Sequence, residues 1–248
     1  MPRGSLLLSR LMKAILLVTF LVSTRAWSCE IPEPEYKSAG AVLWIINGSG
    51  RGAYDGRDPR YQKYVSWVRS HTLLNARGLM AEHMKVGEQV LKTLGAEDKG
   101  RRRIKRDQEA VRRALRGAGG SIHRISCMEA IPFLEYLRRN PGHSWKEFGA
   151  DIMTKGGKTA IIGYYNSRGG YVIETPGSVG TRLFLRKQGW KDAAHLHLHP
   201  FNFKSKWGDP GGTVVPSAGD TVHYRNRGLS TAIITNGIES MRFPTRAY

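Results

Sequence analysis

Residues 195–200 read His195-Leu196-His197-Leu198-His199-Pro200, a strict alternation of imidazole and leucine closed by a proline. A period of two is the mark of a strand, and it sends all three histidines to one side. In an extended chain the outer two stand about 13 Å apart, too far for one metal whose bonds to nitrogen are about 2 Å long. Two of the three are therefore the expected ligands, and the candidate pair is His197 and His199. The plain alternative is a strand whose histidines face solvent or bond a core carbonyl.

Downstream, Pro216-Ser217-Ala218-Gly219-Asp220 places Ser217 and Asp220 three residues apart. That spacing suits a helix start, with Ser217 as the cap and Asp220 in the first turn. A carboxylate there completes a His, His, Asp set.

The residues His197-Leu198-His199-Pro200 followed by Ser217 and Asp220 resemble the signature of the JAMM metallohydrolases, also called JAB or MPN-like. That signature is a distant Glu, then His-x-His-Pro, then Ser-x-x-Asp. The pattern also resembles the group's bacterial relatives in secreted or toxin-associated proteins. The distant acid is best matched by Glu147, in Trp145-Lys146-Glu147-Phe148-Gly149. The resemblance covers roughly residues 145 to 244 and implies a JAMM-like (cytidine-deaminase-like) mixed sheet with flanking helices. It further implies that His197, His199 and Asp220 hold Zn2+ with a water in the fourth position. Glu147 would be the general base, Ser217 would steady the oxyanion, and the bond cut would be an amide or isopeptide bond. The chain departs from the pattern in one place: 20 residues separate His199 from Asp220, about twice the family's usual spacing. An insertion within Phe201 to Val215 is expected to absorb the excess. Asp209 is a rival ligand at closer spacing, and Glu174 is a rival to Glu147.

Working outward, residues 141–248 consist of short apolar runs separated by glycine pairs. The expected strands are Phe148 to Met153, Thr159 to Tyr165, Tyr171 to Thr175, Arg182 to Leu185, Ala194 to His199 and Ala232 to Thr235. Gly156-Gly157 and Gly169-Gly170 read as hairpin turns. Residues 59–140 instead show helical periods and form a basic helical region. Two helices are expected across Pro59 to Leu94 with a break near Gly78, then a basic amphipathic helix over Lys99 to Arg116, then a helix over Met128 to Arg139. Residues 29–58 read as a linker with one short strand at Val42 to Ile46. The fold class is α+β, a helical N-terminal region leading into the β-rich domain.

The first 28 residues have the layout of a signal peptide. Arg10 and Lys13 precede an apolar run, Ala14 to Val22, and Ala26-Trp27-Ser28 supplies small residues for cleavage. The run is about half of what a spanning helix needs. The expected setting is periplasmic or secreted. Cys29 follows directly, but Ala26 stands where a lipobox usually has Leu, which disfavours a lipoprotein.

With 39 Lys and Arg against 20 Asp and Glu, the chain of 248 residues carries +19, which points to anionic partners outside the cytoplasm such as an envelope or cell-wall surface. The basic helix, through Arg101, Arg102, Arg103, Lys105 and Arg106, is the expected docking face. Its near lack of aromatics argues against base stacking, so no sequence-specific nucleic acid is expected. Two cysteines are too few for a disulfide scaffold or a Cys-x-x-Cys deaminase site, and no Gly-x-Ser-x-Gly elbow is present. His71 and His83 lack a third ligand and read as helix surface. Two functions follow. The first is an exported zinc-dependent amide hydrolase acting on a peptide or isopeptide substrate. The alternative is a catalytically inactive JAMM-like interaction or toxin-associated module that binds anionic envelope partners.

Overall fold

The apolar runs of the second half of the chain become the interior of one eight-stranded sheet in a computed structural model. The described residues are 29–38, 40–95, 98–117, 119–142, 146–165, 167–168, 171–172, 174–205, 208 and 210–248. The expected signal peptide, the Gly169-Gly170 turn, Trp145 and the rival ligand Asp209 lie outside them. The strands are β1 (Tyr36–Ser38), β2 (Ala41–Asn47), β3 (Ser121–Arg124), β4 (Gly149–Lys155), β5 (Lys158–Tyr164), β6 (Ser167–Arg168), β7 (Tyr171–Val172), β8 (Lys191–Leu198), β9 (Thr231–Thr235) and β10 (Glu239–Pro244). The helices are α1 (Pro59–His71), α2 (Ala76–Thr93), α3 (Lys99–Leu115), α4 (Cys127–Arg139), α5 (Pro176–Lys187) and α6 (Ala218–Asn226). The class is α+β as expected.

The main sheet has the order β1-β2-β5-β4-β8-β9-β10-β3, and β6 and β7 form a separate two-stranded ribbon. Every pairing in the main sheet is antiparallel except that of β8 with β9, which α6 joins as a crossover. Ala150, Ile152 and Met153, Ala160 to Ile162, and Ala232 to Ile234 are all buried, so both faces of the central strands are covered by helices. On one face Trp190 and Leu185 pack against Met153, Ala160 and Ile162, and next to them Met80, Val111 and Tyr224 from α2, α3 and α6 pack against Ala232 and Ile234. The pairings Asp151 with Ile162, Asp151 with His195, and His195 with Ala232 place the imidazoles on this same face.

Several expectations are corrected. Arg182 to Leu185 is helix rather than strand, because Thr175 and Ser178 form a capping box, Pro176 occupies the first turn and Leu185 turns inward. The break between α1 and α2 falls at Thr72 to Asn75. Gly78 lies within the first turn of α2, its N–H donating to the capping Asn75 side chain at 2.9 Å. Of the strand expected over Tyr171 to Thr175, Tyr171–Val172 form β7, and Thr175 instead caps α5. Residues 29–58, expected to be a linker with one strand, carry β1 and β2, and β2 pairs along its length with β5. Likewise β3 pairs with β10, so strands from the first 140 residues share the sheet with those that follow. No helix among the described residues is long and apolar enough to cross a membrane.

Candidate metal site

The C-terminal end of β8 and the N-terminal end of its crossover helix meet at one point, the place where a βα unit gathers polar groups. His197 is the penultimate residue of β8, and His199 follows the strand, its backbone N–H donating to Thr235 of β9 at 2.8 Å. Asp220 sits at the third position of α6 in a reciprocal cap. Its N–H donates to Ser217 Oγ at 3.3 Å, and its carboxylate accepts from the Ser217 N–H at 2.7 Å. The helix end is fixed from outside as well, since the Ala218 N–H donates to Asp107 of α3 at 2.8 Å.

These elements bring His197, His199 and Asp220 together, with one ligand atom from each lying within 4.8 Å of the others. His199 Nε2 is 3.2 Å from Asp220 Oδ2, and His197 Nδ1 is 3.4 Å from Asp220 Oδ1. Glu147, just before β4, borders the group with Oε2 at 3.1 Å from His197 Nε2. The 20 residues between His199 and Asp220 do not disturb the site, because most of them leave and return. Phe201 bridges to Gly211, and the Asn202 and Gly212 N–H groups donate to Pro210 and Pro200 carbonyls. The returning segment delivers the Thr213 carbonyl to His199 Nδ1 at 2.8 Å. A carbonyl only accepts, so Nδ1 carries a proton and Nε2 is the nitrogen left for a metal. For His197 the nitrogen facing Asp220 is Nδ1, while Nε2 turns to Glu147.

A His, His, Asp set with one imidazole oriented by a carbonyl and another by a carboxylate is the chemistry of a transition-metal site with an open position, so the residues fit a bound ion. His197 and Asp220 are 7% and 8% exposed, which keeps the group largely out of bulk water. Burial works to lower the pKa of His199. The hydrogen bond and charge of Asp220 outweigh it and lift the value to about 9. Asp220 is shifted the other way. Burial opposes its ionisation, but the charges of His197 and His199 and the bond from His199 hold its carboxyl well below the usual range.

A pH dependence follows. Without metal, His199 is charged up to about pH 9, and its contact with Asp220 stabilises the fold fully below the unfolded histidine value of about 6.5. That stability is lost as pH rises through about 9. A metal competes with the proton, so loading at pH 7 is expected to release about one proton, and affinity should climb with pH before levelling above about 9. Calorimetry in two buffers of different ionisation heat measures the proton count.

The remaining expected residues fall into other roles. His195 is not in the ligand group; its Nδ1 lies 3.2 Å from Asp151 Oδ1 and 3.2 Å from the Tyr164 hydroxyl. Gly149 lies opposite His197, and any Cβ there would sit 2.6 Å from the Tyr164 ring. Glu174, the rival acid, pairs with Arg182 and Arg227 at 2.7 Å each. Both arginines also hold the buried Asp151, at 2.9 and 2.7 Å. Burial raises the pKa of Asp151, but His195 and Arg227 overcome this and hold it far below the usual range. His223, one turn beyond Asp220, has its ring 5.2 Å from that of His195. Burial and the positive charges of His195 and Arg227 push it down to about 4. Sequence patterning missed Asp151, Arg182, Arg227 and His223. His223 and Arg227 do repeat at helical spacing after Asp220, which is the signal the sequence carries for them.

Comparison with protein-family models, with characterised proteins and with solved structures finds no match to this chain.

Proposed function

We propose that this chain is a zinc-dependent hydrolase of amide bonds, peptide or isopeptide, of the JAMM-like kind that its motifs resemble. The observation that carries the reading is the meeting of His197, His199 and Asp220 across a 20-residue gap, with Glu147 at their edge. Zinc suits two imidazoles and a carboxylate, and when bound it acidifies a water and polarises a carbonyl. Within this reading Glu147 accepts the proton of the attacking water and passes it to the leaving amine. Thr213 holds the His199 tautomer. Ser217 fixes Asp220 by accepting its N–H, and its own O–H remains a donor for the developing oxyanion.

The proposal includes export to an oxidising compartment, which is supported by the absence of a free cysteine among the described residues. It also includes an anionic envelope or cell-wall surface as partner. On α3, Arg102, Arg103, Lys105 and Arg106 are exposed, whereas Arg101 instead donates to the Leu91 and Leu94 carbonyls at the end of α2.

One observation favours a second reading. Glu147 touches His197 Nε2, so it can serve purely as the orienting partner of a ligand, which would leave a metal-binding module without turnover. The test of turnover is cleavage of a mixed peptide and lysine-isopeptide library. Cleavage is expected to vanish on chelation and to return with added zinc. Cleavage that survives complete chelation contradicts the proposal.

A further inference from the structure

At the far edge of the sheet, three strands beyond β8 and so about 14 Å across it, a cavity of about 290 Å³ opens beside β3. Arg51, Ser121, His123, Glu129 and Arg242 are among its lining residues. Arg242 stands opposite Ser121 in the β10–β3 pairing, and His123 lies two residues along on the same face. Arg51 is carried by the loop after β2, whose backbone is anchored on both sides. The Met128 and Cys127 N–H groups donate to the Gly50 and Gly52 carbonyls, at 2.9 and 2.8 Å.

The two guanidinium groups are near enough to repel. Burial lowers the pKa of Arg242, and the charge of Arg51 lowers it further. Neither arginine has a hydrogen bond or ion pair among the described residues. The one carboxylate in the cavity is already committed. Glu129 Oε2 accepts from the Ser126 N–H at 2.9 Å and Oε1 meets His123 Nε2 at 3.0 Å. The start of α4 is committed too, because its first N–H groups bond Gly52, Gly50 and Ser126. The charge of Glu129 acts favourably on Arg242, but Arg51, Arg124 and Arg242 outnumber this one carboxylate in the lining, so positive charge is in excess there.

We propose that this cavity binds a phosphoryl group, with Arg51 and Arg242 as its two cationic clamps and the Ser121 hydroxyl as a further donor. A dianion matches two guanidinium charges, and a tetrahedral group with three free oxygens can take donors from both sides. A carboxylate is saturated by a single guanidinium fork. The volume lies at the lower edge of ligand pockets, which fits a phosphoryl group with a small substituent. The site is independent of the metal group.

The test is titration calorimetry of the whole protein with inorganic phosphate, and separately with glycerol phosphate, against chloride at equal ionic strength. One-to-one binding is expected. Arg51→Gln and Arg242→Gln should each weaken it by about tenfold or more. Lys187→Gln, which removes the same charge from the exposed end of α5, should leave it unchanged. Tighter binding of the ester would identify an esterified phosphate as the natural source, and tighter binding of the free ion would identify phosphate itself. No heat beyond the chloride control overturns the proposal, as does equal weakening by all three substitutions, which marks diffuse charge. Should Arg242→Gln fail to fold, Arg51→Gln, in an exposed loop, decides alone.

Discussion

Replacing Asp151 with alanine is expected to destabilise the fold by about 3–5 kcal/mol, the usual loss when one partner of a buried ion network is removed. Asp151 is 2% exposed and receives Arg227 at 2.7 Å, Arg182 at 2.9 Å and the His195 ring at 3.2 Å. Without it two guanidinium groups share Glu174, itself partly open to solvent, and a ring nitrogen of His195 loses its charged partner. Asp151→Asn keeps the volume and one acceptor oxygen, so it should fall between alanine and the parent. The sign with pH is set by the depressed carboxyl. Its contribution is fully present above the unfolded value of about 3.9 and is lost only as pH falls below that. Urea denaturation at pH 7 measures the difference through the midpoint at constant slope. A loss under about 1 kcal/mol would mean that Glu174 alone satisfies both arginines.

On the proposed function, Glu147→Gln is expected to lower amide hydrolysis by about 10²–10⁴-fold while leaving bound metal near its parent level. Glutamine has the size of glutamate and can still accept from His197 Nε2, so the orienting contact survives. What disappears is the ability to take a proton. The substitution therefore separates the two roles that the 3.1 Å contact leaves to this residue. A rate within about twofold of the parent would assign Glu147 to orientation alone, and loss of metal together with activity would make it a support of the ligand set.

The candidate ligand residues were legible because each belongs to a local pattern. Alternation put the imidazoles of His195, His197 and His199 on one face. The Ser217 and Asp220 spacing is that of a helix cap, which the structure forms reciprocally. The length of the excursion between them was legible, and its shape was not. That depends on Phe201 bridging Gly211 and on a backbone carbonyl, Thr213, and backbone acceptors leave no trace in residue type. The Asp151 network was hidden for a related reason. Its members come from β4, α5 and the end of α6, and charged residues inside apolar strands read as solvent-facing until the covering helices are placed. Arg182 to Leu185 misled because an apolar run of four fits either element. The capping pair Thr175 and Ser178 decided it, and that pair lay outside the run. At the other end, Met241 and Phe243 alternate in β10, but with only two apolar residues among polar neighbours the alternation is too brief to mark a strand in the sequence.

The most direct measurement is the metal content of the purified protein by elemental mass spectrometry, beside His199→Ala and Asp220→Ala. About one zinc per chain in the parent and little in either variant is the expected result, since each substitution removes a ligand from a set of three. No metal in the parent after reconstitution with zinc, or equal metal in all three proteins, would contradict the assignment of this site.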